Sequence, residues 1–493
     1  MHQVRYFFLI SILFISLYSC QSSRQENGLV EGSELQGPQV KRDLPEIKED
    51  GKLKAITTYG MTSYFLYKGM PMGFEYELLK TLATHLNLEL EIVIAEDIDK
   101  VFDMLNSGKG DIIAHGLTIT ESRNKLVDFT EHHYATHQVL VQRKPENWRN
   151  MKVHNIKQTL VNDVIELIGD TVSVRKNSSY YYRLINLSKE LGGNIYIDKL
   201  SGNLTTDEII QMVVDGKIKY TVADYNIAAI NRSYHPGLDI ETQLSLSQRI
   251  AWATRKNSPK LKTAVNEWVD SMKNEVNYYV IYNKYFKAKK NFNRRIRSEF
   301  YSAKTGKISP YDQIIKKYSQ QIGWDWRLVA SLIYQESQFK PNNQSWAGAR
   351  GLMQMMPATA EELGVTNILD PEDNIRGGTK YLDQMWRQWS DIPDSVQRVK
   401  FVLASYNCGY YHVRDAQRLA EKHNADPLVW DGSVAEYLLK LSSKEYYTDP
   451  VVKYGYVRGQ EPYKYVSEIF ERFQHYNKFV AADTLNTKAQ DPL

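Results

Sequence analysis

The feature that most constrains the fold is a change in patterning near residue 308. Before it, strand-like and helix-like segments alternate from about residue 50, as in LKAITTYG, FEYELLKTLATHLN and LELEIVIA. After it, strand signals nearly vanish and apolar residues recur at helical spacing. Alternation predicts an α/β layer with a largely parallel sheet, whereas helices alone predict an all-α bundle. We therefore expect a multidomain chain, with an α/β domain followed by an all-α domain.

Length and composition agree with this division. The chain has 493 residues, for which the length prior is about two to four domains. Hydrophobic residues make up 42% and charged residues 24%, as in ordinary globular proteins. The formal net charge of +4 is a slight bias for this length, which fits an anionic polymer as partner without requiring one. Nothing in it indicates nucleic acid.

The first residues are typical of an export signal. An apolar stretch runs from Tyr6 to about Leu17 and is too short to span a bilayer comfortably. We interpret residues 1–19 as a secretory signal. The run Leu17-Tyr18-Ser19-Cys20 resembles a bacterial lipobox, which implies lipidation of Cys20 and a membrane anchor. The alternative is an ordinary signal peptide with a chance cysteine.

The polar residues after Cys20 predict a flexible tether over residues 20–46. Gln21, directly after the cysteine, favours retention at the outer membrane, so we expect a periplasmic protein. The only other cysteine is Cys408. If Cys20 is lipidated, no intramolecular disulfide is available and the exported protein is held together by packing.

The α/β half carries a carboxylate-binding pattern. The stretch GKGDIIAHGLTITESRNKLVDFT contains Gly116, Thr118 and Arg123 and resembles the periplasmic solute-binding family that captures amino acids. An α-carboxylate requires a planar, bidentate cation with hydroxyl and backbone donors beside it, which Arg123 and Thr118 would supply. Asp224, in YTVADYN, matches the position where that family uses an acid for the ligand's ammonium group.

The resemblance implies a two-lobed, periplasmic-binding-protein-like domain over residues 47–287. Tyr64 is the expected aromatic wall of its site, and Ser178 an expected donor at a helix N-terminus. The expected ligand is an amino acid or small peptide. The alternative is that Arg123 and Asp224 form a leftover ion pair in a lobe that no longer binds.

The domain boundaries follow from these segments. We expect lobe 1 at about residues 47–145 and 245–287, and lobe 2 at about residues 146–244. The remaining segments are a basic linker at 288–307, the all-α domain at 308–480 and a tail at 481–493.

The segment EHHYATH raises the question of a metal site. His133 and His137 are four residues apart, but this segment is predicted as strand, where residues two apart share a face. We therefore expect no metal there, and no cofactor elsewhere.

One carboxylate interrupts an apolar stripe in the all-α half. Trp326, Val329, Ile333 and Glu336 follow one another at steps of three, four and three, the spacing of the buried face of a helix. A glutamate at the fourth position either turns inward with the stripe or lies in solvent at the helix end, which is the usual position of glutamate. A desolvated carboxylic acid has a raised pKa, as a general acid needs near neutral pH.

Four short motifs follow one another in this half: Glu336-Ser337, Ser345-x-x-Gly348-Ala349-x-Gly351-Leu352-Met353-Gln354, Ser405-Tyr406-Asn407 and Glu461-Pro462-Tyr463-Lys464-Tyr465-Val466. In order and spacing they resemble the motifs of the lytic transglycosylases with a goose-lysozyme-like domain. The resemblance implies an all-α lysozyme-like fold, Glu336 as catalytic residue and peptidoglycan glycan strands as substrate. Ser405 stands where alanine is usual, and Pro462 and Tyr463 stand where threonine and arginine are common. The residues implied to contact the glycan are Ser345, Gly351, Met353, Gln354, Tyr406, Asn407 and Tyr465.

Glycosidases that hydrolyse their substrate usually need two carboxylates at the scissile bond, whereas these motifs supply one. The resemblance therefore implies nonhydrolytic cleavage that leaves 1,6-anhydromuramic ends. Asp370, Glu372 and Asp373 are the nearest candidates for a second carboxylate, but LDPEDN is more typical of a turn and helix N-cap. A lysozyme-like hydrolase and a solute-binding protein without activity remain the alternatives.

Overall fold

The computed structural model describes residues 37–288, 294–295, 298–301 and 305–480. The predicted signal 1–19, the lipidation site Cys20, most of the tether, part of the basic linker and the tail 481–493 lie outside these residues. Among the helices of the described residues, none combines the length and apolarity that a membrane span requires.

The elements before residue 290 alternate as the sequence predicts. The strands are β1 Lys52–Thr57, β2 Phe65–Tyr67, β3 Met70–Met72, β4 Glu89–Ile94, β5 Ile112–Thr118, β6 Asp128–Phe129, β7 Tyr134–Thr136, β8 Gln138–Arg143, β9 Thr171–Arg175, β10 Tyr196–Leu200, β11 Tyr220–Asp224, β12 Leu238–Asp239 and β13 Gln248–Thr254. The helices are α1 Leu44–Asp50, α2 Phe74–Leu86, α3 Val101–Asn106, α4 Glu121–Asn124, α5 Val153–Gln158, α6 Ser179–Leu191, α7 Thr206–Val214, α8 Tyr225–Tyr234, α9 Pro259–Met272 and α10 Val276–Tyr282.

The main sheet of the first lobe has the strand order β4-β1-β5-β13-β6, with β7 also paired to β13. Strand β1 pairs in parallel with β4 and with β5, as predicted. Strand β13 runs antiparallel to β5, which the prediction of a largely parallel sheet did not include. It is the strand by which the chain returns from the second lobe.

The second lobe contains the strand order β11-β8-β12 and the parallel pair β9-β10. Strand β8 pairs with β11 from Gln138 onward, so the predicted end of the first lobe at residue 145 is wrong. The chain crosses between lobes near residue 137 and returns beside that crossing, where Leu244 N donates to Gln138 O at 2.8 Å. Two adjacent crossings of this kind are the geometry of a hinge.

Residues 39–46, predicted as the end of a tether, are held against the first lobe. Gln39 N donates to Asn106 O at 2.9 Å, and the carbonyl of Arg42 accepts from Arg255 Nη2 at 2.9 Å. Arg255 is fully buried and forms an ion pair with Asp111 at 3.0 Å. The part of the predicted tether that is described from residue 39 onward therefore belongs to the binding domain.

The chain after residue 308 is helical, as predicted. Its helices are α11 Asp312–Gln321, α12 Trp326–Ser337, α13 Pro357–Glu362, α14 Pro371–Gln388, α15 Ser395–Cys408, α16 Tyr410–Lys422, α17 Ala435–Lys440, α18 Lys444–Tyr447 and α19 Gln460–Phe479. Helix α12 lies at the centre of their apolar core, since its residues from Trp326 to Ile333 are all buried. The continuous helical pattern around residue 409 is divided into α15 and α16 by Gly409, whose φ is +91°.

Helix α19 packs on both domains. It contacts α12 in the helical core, and at its C-terminal end it docks on the first lobe. There, Tyr476 Oη donates to Gly69 O at 2.9 Å, and the hydroxyl of Tyr64 hydrogen-bonds Nδ1 of His475. Leu66, on the hairpin β2-β3, is buried in the core of the helical domain. The two domains therefore share one packed interface.

The hairpin turn at Lys68-Gly69 offers a test of this interface. Both residues have positive φ, as a two-residue turn requires. A Cβ on Gly69 would lie 2.5 Å from Tyr476 Oη and 2.8 Å from Phe339 Cε2. We expect Gly69→Ala to lower the free energy of unfolding by about 1–2 kcal/mol from backbone strain and by about 1–3 kcal/mol more from overpacking.

The matched control is Gly364→Ala, because Gly364 has a φ of +73° and no atom within 4 Å of the place that an alanine methyl group would take. Gly364→Ala should lower the free energy of unfolding only by the contribution of backbone strain, about 1–2 kcal/mol. Urea unfolding followed by circular dichroism measures both variants. Equal losses of stability would contradict a tight contact between the hairpin and α19.

Candidate active site

Glu336 lies in the last turn of α12. The helix ends directly after it, because Gln338 adopts a left-handed conformation with φ of +53°. The carboxyl group is half-buried, and its Oε1 accepts a hydrogen bond from the hydroxyl of Tyr465 on α19. Burial raises the pKa of Glu336 to about 7, while the Tyr465 hydroxyl lowers it. The inward position thus produces a carboxyl group that exchanges its proton near neutral pH.

Two of the predicted glycan contacts are tyrosines beside this carboxyl group. Tyr465 is buried and its hydroxyl is engaged by Glu336 itself, which makes it a positioning group for the carboxylate. Tyr406, on α15, donates to the carbonyl of Met353 at 2.7 Å. Asn407 follows on the last turn of α15 and is half-buried. Burial, and after it the charge of Glu336, raise the pKa of both tyrosine hydroxyls, so Tyr406 and Tyr465 both lie near this carboxyl group.

A loop between α12 and α13 carries the second predicted motif. Asn343 joins it to Glu336, since Asn343 Nδ2 donates to Glu336 O at 3.5 Å. Gln354 Nε2 donates to Asn343 O at 3.1 Å and to Gly351 O at 2.8 Å. Ser345 Oγ accepts from Ala349 N at 3.0 Å and closes the tip of the loop. The predicted polar residues of this motif therefore shape the loop itself.

Asn374 anchors this loop on the helical core. The sequence pattern assigns this residue only to a turn and helix N-cap. Asn374 is fully buried on α14. Its Oδ1 accepts from Met353 N at 2.7 Å, and its Nδ2 donates to Ile368 O at 2.8 Å. An asparagine in DPEDN gives no local signal for this role, because Met353 is distant along the chain.

Two predicted glycan contacts are corrected by the structure. Met353 is fully buried, with its side chain against Gly378, so it offers no surface to a glycan. Gly351 is required by packing beneath the loop, because a Cβ there would lie 2.2 Å from Asn374 Nδ2. Both residues support the loop from the core side.

The serine at position 405, where alanine is usual in the resembled motif, has a structural reason. Its hydroxyl accepts a hydrogen bond from the indole Nε1 of Trp389 at 2.9 Å and donates to Phe401 O at 2.7 Å. Trp389 is fully buried, and a buried donor left without a partner is costly. Serine therefore satisfies an indole that alanine would leave unpaired.

The candidates for a second carboxylate have other partners. Asp370 caps α14 by accepting from Asp373 N at 2.9 Å, as predicted. Glu372 pairs with Lys317 at 2.7 Å. Asp373 accepts from the backbone of Thr366 and Asn367 and pairs with Arg376, which lower its pKa despite some burial. Burial and Tyr465 account for the pKa of Glu336, and among the described residues no second carboxylate contributes to it.

A cavity of about 290 Å³ lies between the lobes of the α/β domain. Of the predicted ligand-binding residues, Gly116, Thr118, Arg123, Ser178 and Asp224 line it. No salt bridge within the described ranges includes Arg123 or Asp224, which argues against a leftover ion pair. Arg175, the last residue of β9, also lines the cavity.

Asp224 is buried at the end of β11, and its Oδ1 has no hydrogen-bond partner in the described structure. Burial raises its pKa to about 7, although Tyr180, Arg123 and Arg175 each lower it. Burial and the neighbouring Arg175 lower the pKa of Arg123 to about 10. A carboxyl group with one oxygen left without a partner and two cations around one cavity suit a small zwitterion or peptide.

The prediction for Tyr64 is wrong. Its ring is fully buried outside the cavity and lies 5.0 Å from that of Phe479. The aromatic residues that do line the cavity are Tyr59, Tyr134, Tyr180 and Phe479. Ser178 lines it as predicted, but its hydroxyl already accepts from Tyr181 N at 3.1 Å as the cap of α6.

Two residues of this cavity come from the helical domain. Lys478 and Phe479, at the end of α19, line the cavity of the α/β domain. Phe479 lies 4.7 Å from the ring of Tyr59, whose hydroxyl donates to Lys478 O. No sequence signal connects these residues to a site that is formed by the other domain.

Each half of the chain matches a known protein family. Residues 55–288 match the model of bacterial extracellular solute-binding proteins, family 3. Residues 313–429 match the model of the transglycosylase SLT domain. The predicted fold class, an α/β binding-protein-like domain followed by an all-α lysozyme-like domain, is confirmed.

Among solved structures, the α/β half is similar to binding proteins for amino acids. An ancestral amino acid-binding protein, a precursor of cyclohexadienyl dehydratase, is 26% identical with a TM-score of 0.41 and covers 50% of this chain and 99% of its own. The arginine-binding protein of T. maritima in its holo form is 26% identical with a TM-score of 0.40, and covers 49% of this chain and 99% of its own.

Two relatives that span both domains carry the same name. The membrane-bound lytic murein transglycosylase F of Desulfosudis oleivorans is 37% identical over 428 residues, which cover 87% of this chain and 90% of the relative. That of Photobacterium profundum is 32% identical over 433 residues, which cover 88% of this chain and 81% of the relative. By this similarity over most of both sequences, the chain belongs to the membrane-bound lytic murein transglycosylase F family.

Proposed function

We propose that this protein is a peptidoglycan lytic transglycosylase, a lyase that cleaves the β-1,4 bond between N-acetylmuramic acid and N-acetylglucosamine. The observation that supports this most strongly is the environment of Glu336. Its carboxyl group is partly desolvated, is held by the Tyr465 hydroxyl, and has a pKa of about 7. One group with this pKa can serve first as an acid and then as a base.

The reaction that the family resemblance implies needs a single carboxyl group. Protonated Glu336 gives its proton to the glycosidic oxygen as the bond to the muramic acid breaks. The 2-acetamido group of the muramic acid stabilises the developing cation. The Glu336 carboxylate then takes the proton from the C6 hydroxyl, whose oxygen closes the 1,6-anhydro ring. No water is consumed, and Glu336 ends in the protonated state in which it began.

A muramidase that hydrolyses the same bond is the second candidate. It would need a carboxylate to activate water, and the acidic residues of LDPEDN are engaged in capping and ion pairs. The engagement of these acids with Lys317, Arg376 and the backbone favours the transglycosylase.

Substitution of Glu336 tests the reaction. We expect Glu336→Gln to lower the cleavage rate of isolated sacculi by at least about 10²–10⁴, because both proton transfers are lost. In the wild type, the rate should fall as pH rises through about 7, since the first step needs the protonated form. Mass spectrometry of the products should show anhydro ends.

Glu468→Gln is the matched control, because Glu468 lies on α19 with its side chain exposed and bonded to Gln335 Nε2 at 2.8 Å. It should leave the rate unchanged. Products one water heavier than anhydro ends would establish the hydrolase. Full activity of Glu336→Gln would exclude Glu336 as the catalytic residue, and a wild type that releases no product from sacculi would indicate a binding protein with an inactive helical domain.

The N-terminal domain is proposed to bind an amino acid or small peptide and to regulate cleavage. Its ligand would meet Arg123 and Asp224 from opposite lobes and Phe479 from α19. Phe479 and Tyr465 lie on the same helix, about 21 Å apart along its axis. A ligand that shifts the end of α19 would therefore change the position of the hydroxyl that holds Glu336.

If ligand binding and cleavage are coupled through α19, a ligand that raises the melting temperature should also change the cleavage rate. Amino acids and short peptides are screened singly for a rise in melting temperature, and the cleavage rate is measured at a saturating concentration of each binder. A binder should change the rate, Arg123→Ala should remove both effects, and Phe479→Ala should keep the stabilisation but reduce the effect on rate. An unchanged wild-type rate at saturation would contradict regulation.

The protein is proposed to be membrane-associated on the extracytoplasmic side, as the name of its relatives states membrane binding for them. The more specific proposal is a lipid anchor on Cys20 that holds it at the outer membrane, supported by the apolar segment and lipobox-like run of the sequence. Cys20→Ser should move the protein from the membrane fraction to the soluble fraction on cell fractionation. Continued sedimentation of this variant with outer membranes would argue against the anchor.

A further inference from the structure

Exposed aromatic side chains of the helical domain are concentrated near the motifs. Among the described residues from 308 onward, four tyrosine or tryptophan side chains are largely exposed: Trp346, Tyr411, Tyr454 and Tyr456. Trp346 is adjacent to Ser345, Tyr411 comes four residues after Asn407, and the other two precede Glu461 by seven and five residues. Large apolar rings that remain in water, close along the chain to residues implied to bind a polymer, suggest contact with that polymer.

Two of these rings form an ordered pair. The rings of Tyr411 and Tyr454 stack with centroids 4.4 Å apart and planes 18° from parallel. Both side chains nevertheless remain 56% and 49% exposed. A stacked pair of tyrosines offers a flat, rigid and partly apolar surface at low cost in side-chain entropy.

The backbone of Tyr454 is fixed by a buried acid. Asp415 on α16 is fully buried, and its two carboxylate oxygens accept from Lys453 N at 2.8 Å and Tyr454 N at 2.7 Å. Arg418, one turn later, pairs with Asp415 and donates from Nε to Val451 O at 2.9 Å. A buried charge is tolerated only when it is paired and hydrogen-bonded. The segment between α18 and α19 is therefore held rigidly on α16.

The pair is close along the chain to the predicted glycan contacts. Tyr411 lies in the first turn of α16, directly after the end of α15 that carries Tyr406 and Asn407. Tyr454 lies just before α19, whose second turn carries Tyr465. The two segments that present the rings are thus the chain neighbours of the two helices that place tyrosines beside Glu336.

We propose that the stacked pair Tyr411–Tyr454 is a subsite for a pyranose ring of the glycan strand, beyond the two sugars that flank the scissile bond. The C–H face of a pyranose is apolar and packs on the flat face of an aromatic ring, and the hydroxyl groups at the rim remain in water. This inference rests on the proposed function. In this proposal the tyrosine pair increases the affinity for long strands, and Glu336 carries out the bond cleavage.

The test compares substrates of two lengths. Cleavage kinetics are measured on a murein tetrasaccharide and on long, uncrosslinked glycan strands for the wild type, Tyr411→Ala, Tyr454→Ala and the double variant. We expect KM for long strands to rise about tenfold in the double variant, as for loss of an aromatic anchor, with kcat and the tetrasaccharide kinetics unchanged. Tyr454→Phe should retain the wild-type KM, because the flat ring is kept.

Tyr196→Ala is the matched control, since Tyr196 is equally exposed, at 58%, on β10 of the α/β domain. If the double variant changed KM equally for the tetrasaccharide and the long strands, or changed KM for neither, the proposed subsite would be overturned. A loss of melting temperature with equal loss of activity on both substrates would assign the pair a structural role and also overturn it. A wild type that releases no anhydro product from either substrate would instead refute the proposed function.

Discussion

The packing of helix α19 on both domains is the interaction on which the rest of the structure depends. Its N-terminal half places the Tyr465 hydroxyl on Glu336, and its C-terminal end places Phe479 in the wall of the ligand cavity. A helix is stiff along its axis because each residue adds one backbone hydrogen bond to a continuous ladder. One rigid element thus joins the carboxyl group that acts on the glycan to the cavity that is proposed to bind a small ligand.

The two sites share an electrostatic feature. Glu336 and Asp224 are both carboxyl groups whose pKa burial raises to about 7, and in each case hydrogen bonding from a tyrosine opposes that rise. The consequences differ because the surroundings differ. Arg123 and Arg175 also lower the pKa of Asp224 and so favour its charged form, which suits recognition of an ammonium group. Among the described residues no such cation acts on Glu336, so this carboxyl group can hold or release its proton.

Much of the site was predictable from the sequence, and the residues that were misassigned share a cause. Glu336, Tyr406 and Tyr465 lie together, as the resemblance implies. Met353 and Gly351 belong to the same motif but face the core, where Gly378 and Asn374 fill the space beneath them. A motif records that residue types recur together, and it does not distinguish the side of a loop that meets substrate from the side that packs. Trp389 and Ser405 illustrate the same limit, because the hydrogen bond that explains the serine joins residues that no local pattern connects.

By itself, the sequence determined the division into an α/β half and a helical half, most of the helices and strands, and the apolar stripe that ends at Glu336. These depend on the spacing of apolar residues within one element, which is local information. The tertiary structure alone decided that Tyr64 faces α19, that β8 belongs to the second lobe, and that Phe479 reaches the ligand cavity. Each of these depends on which distant segments exclude water from one another, since burial is a property of the assembled surfaces and is not encoded in the periodicity of any one of them.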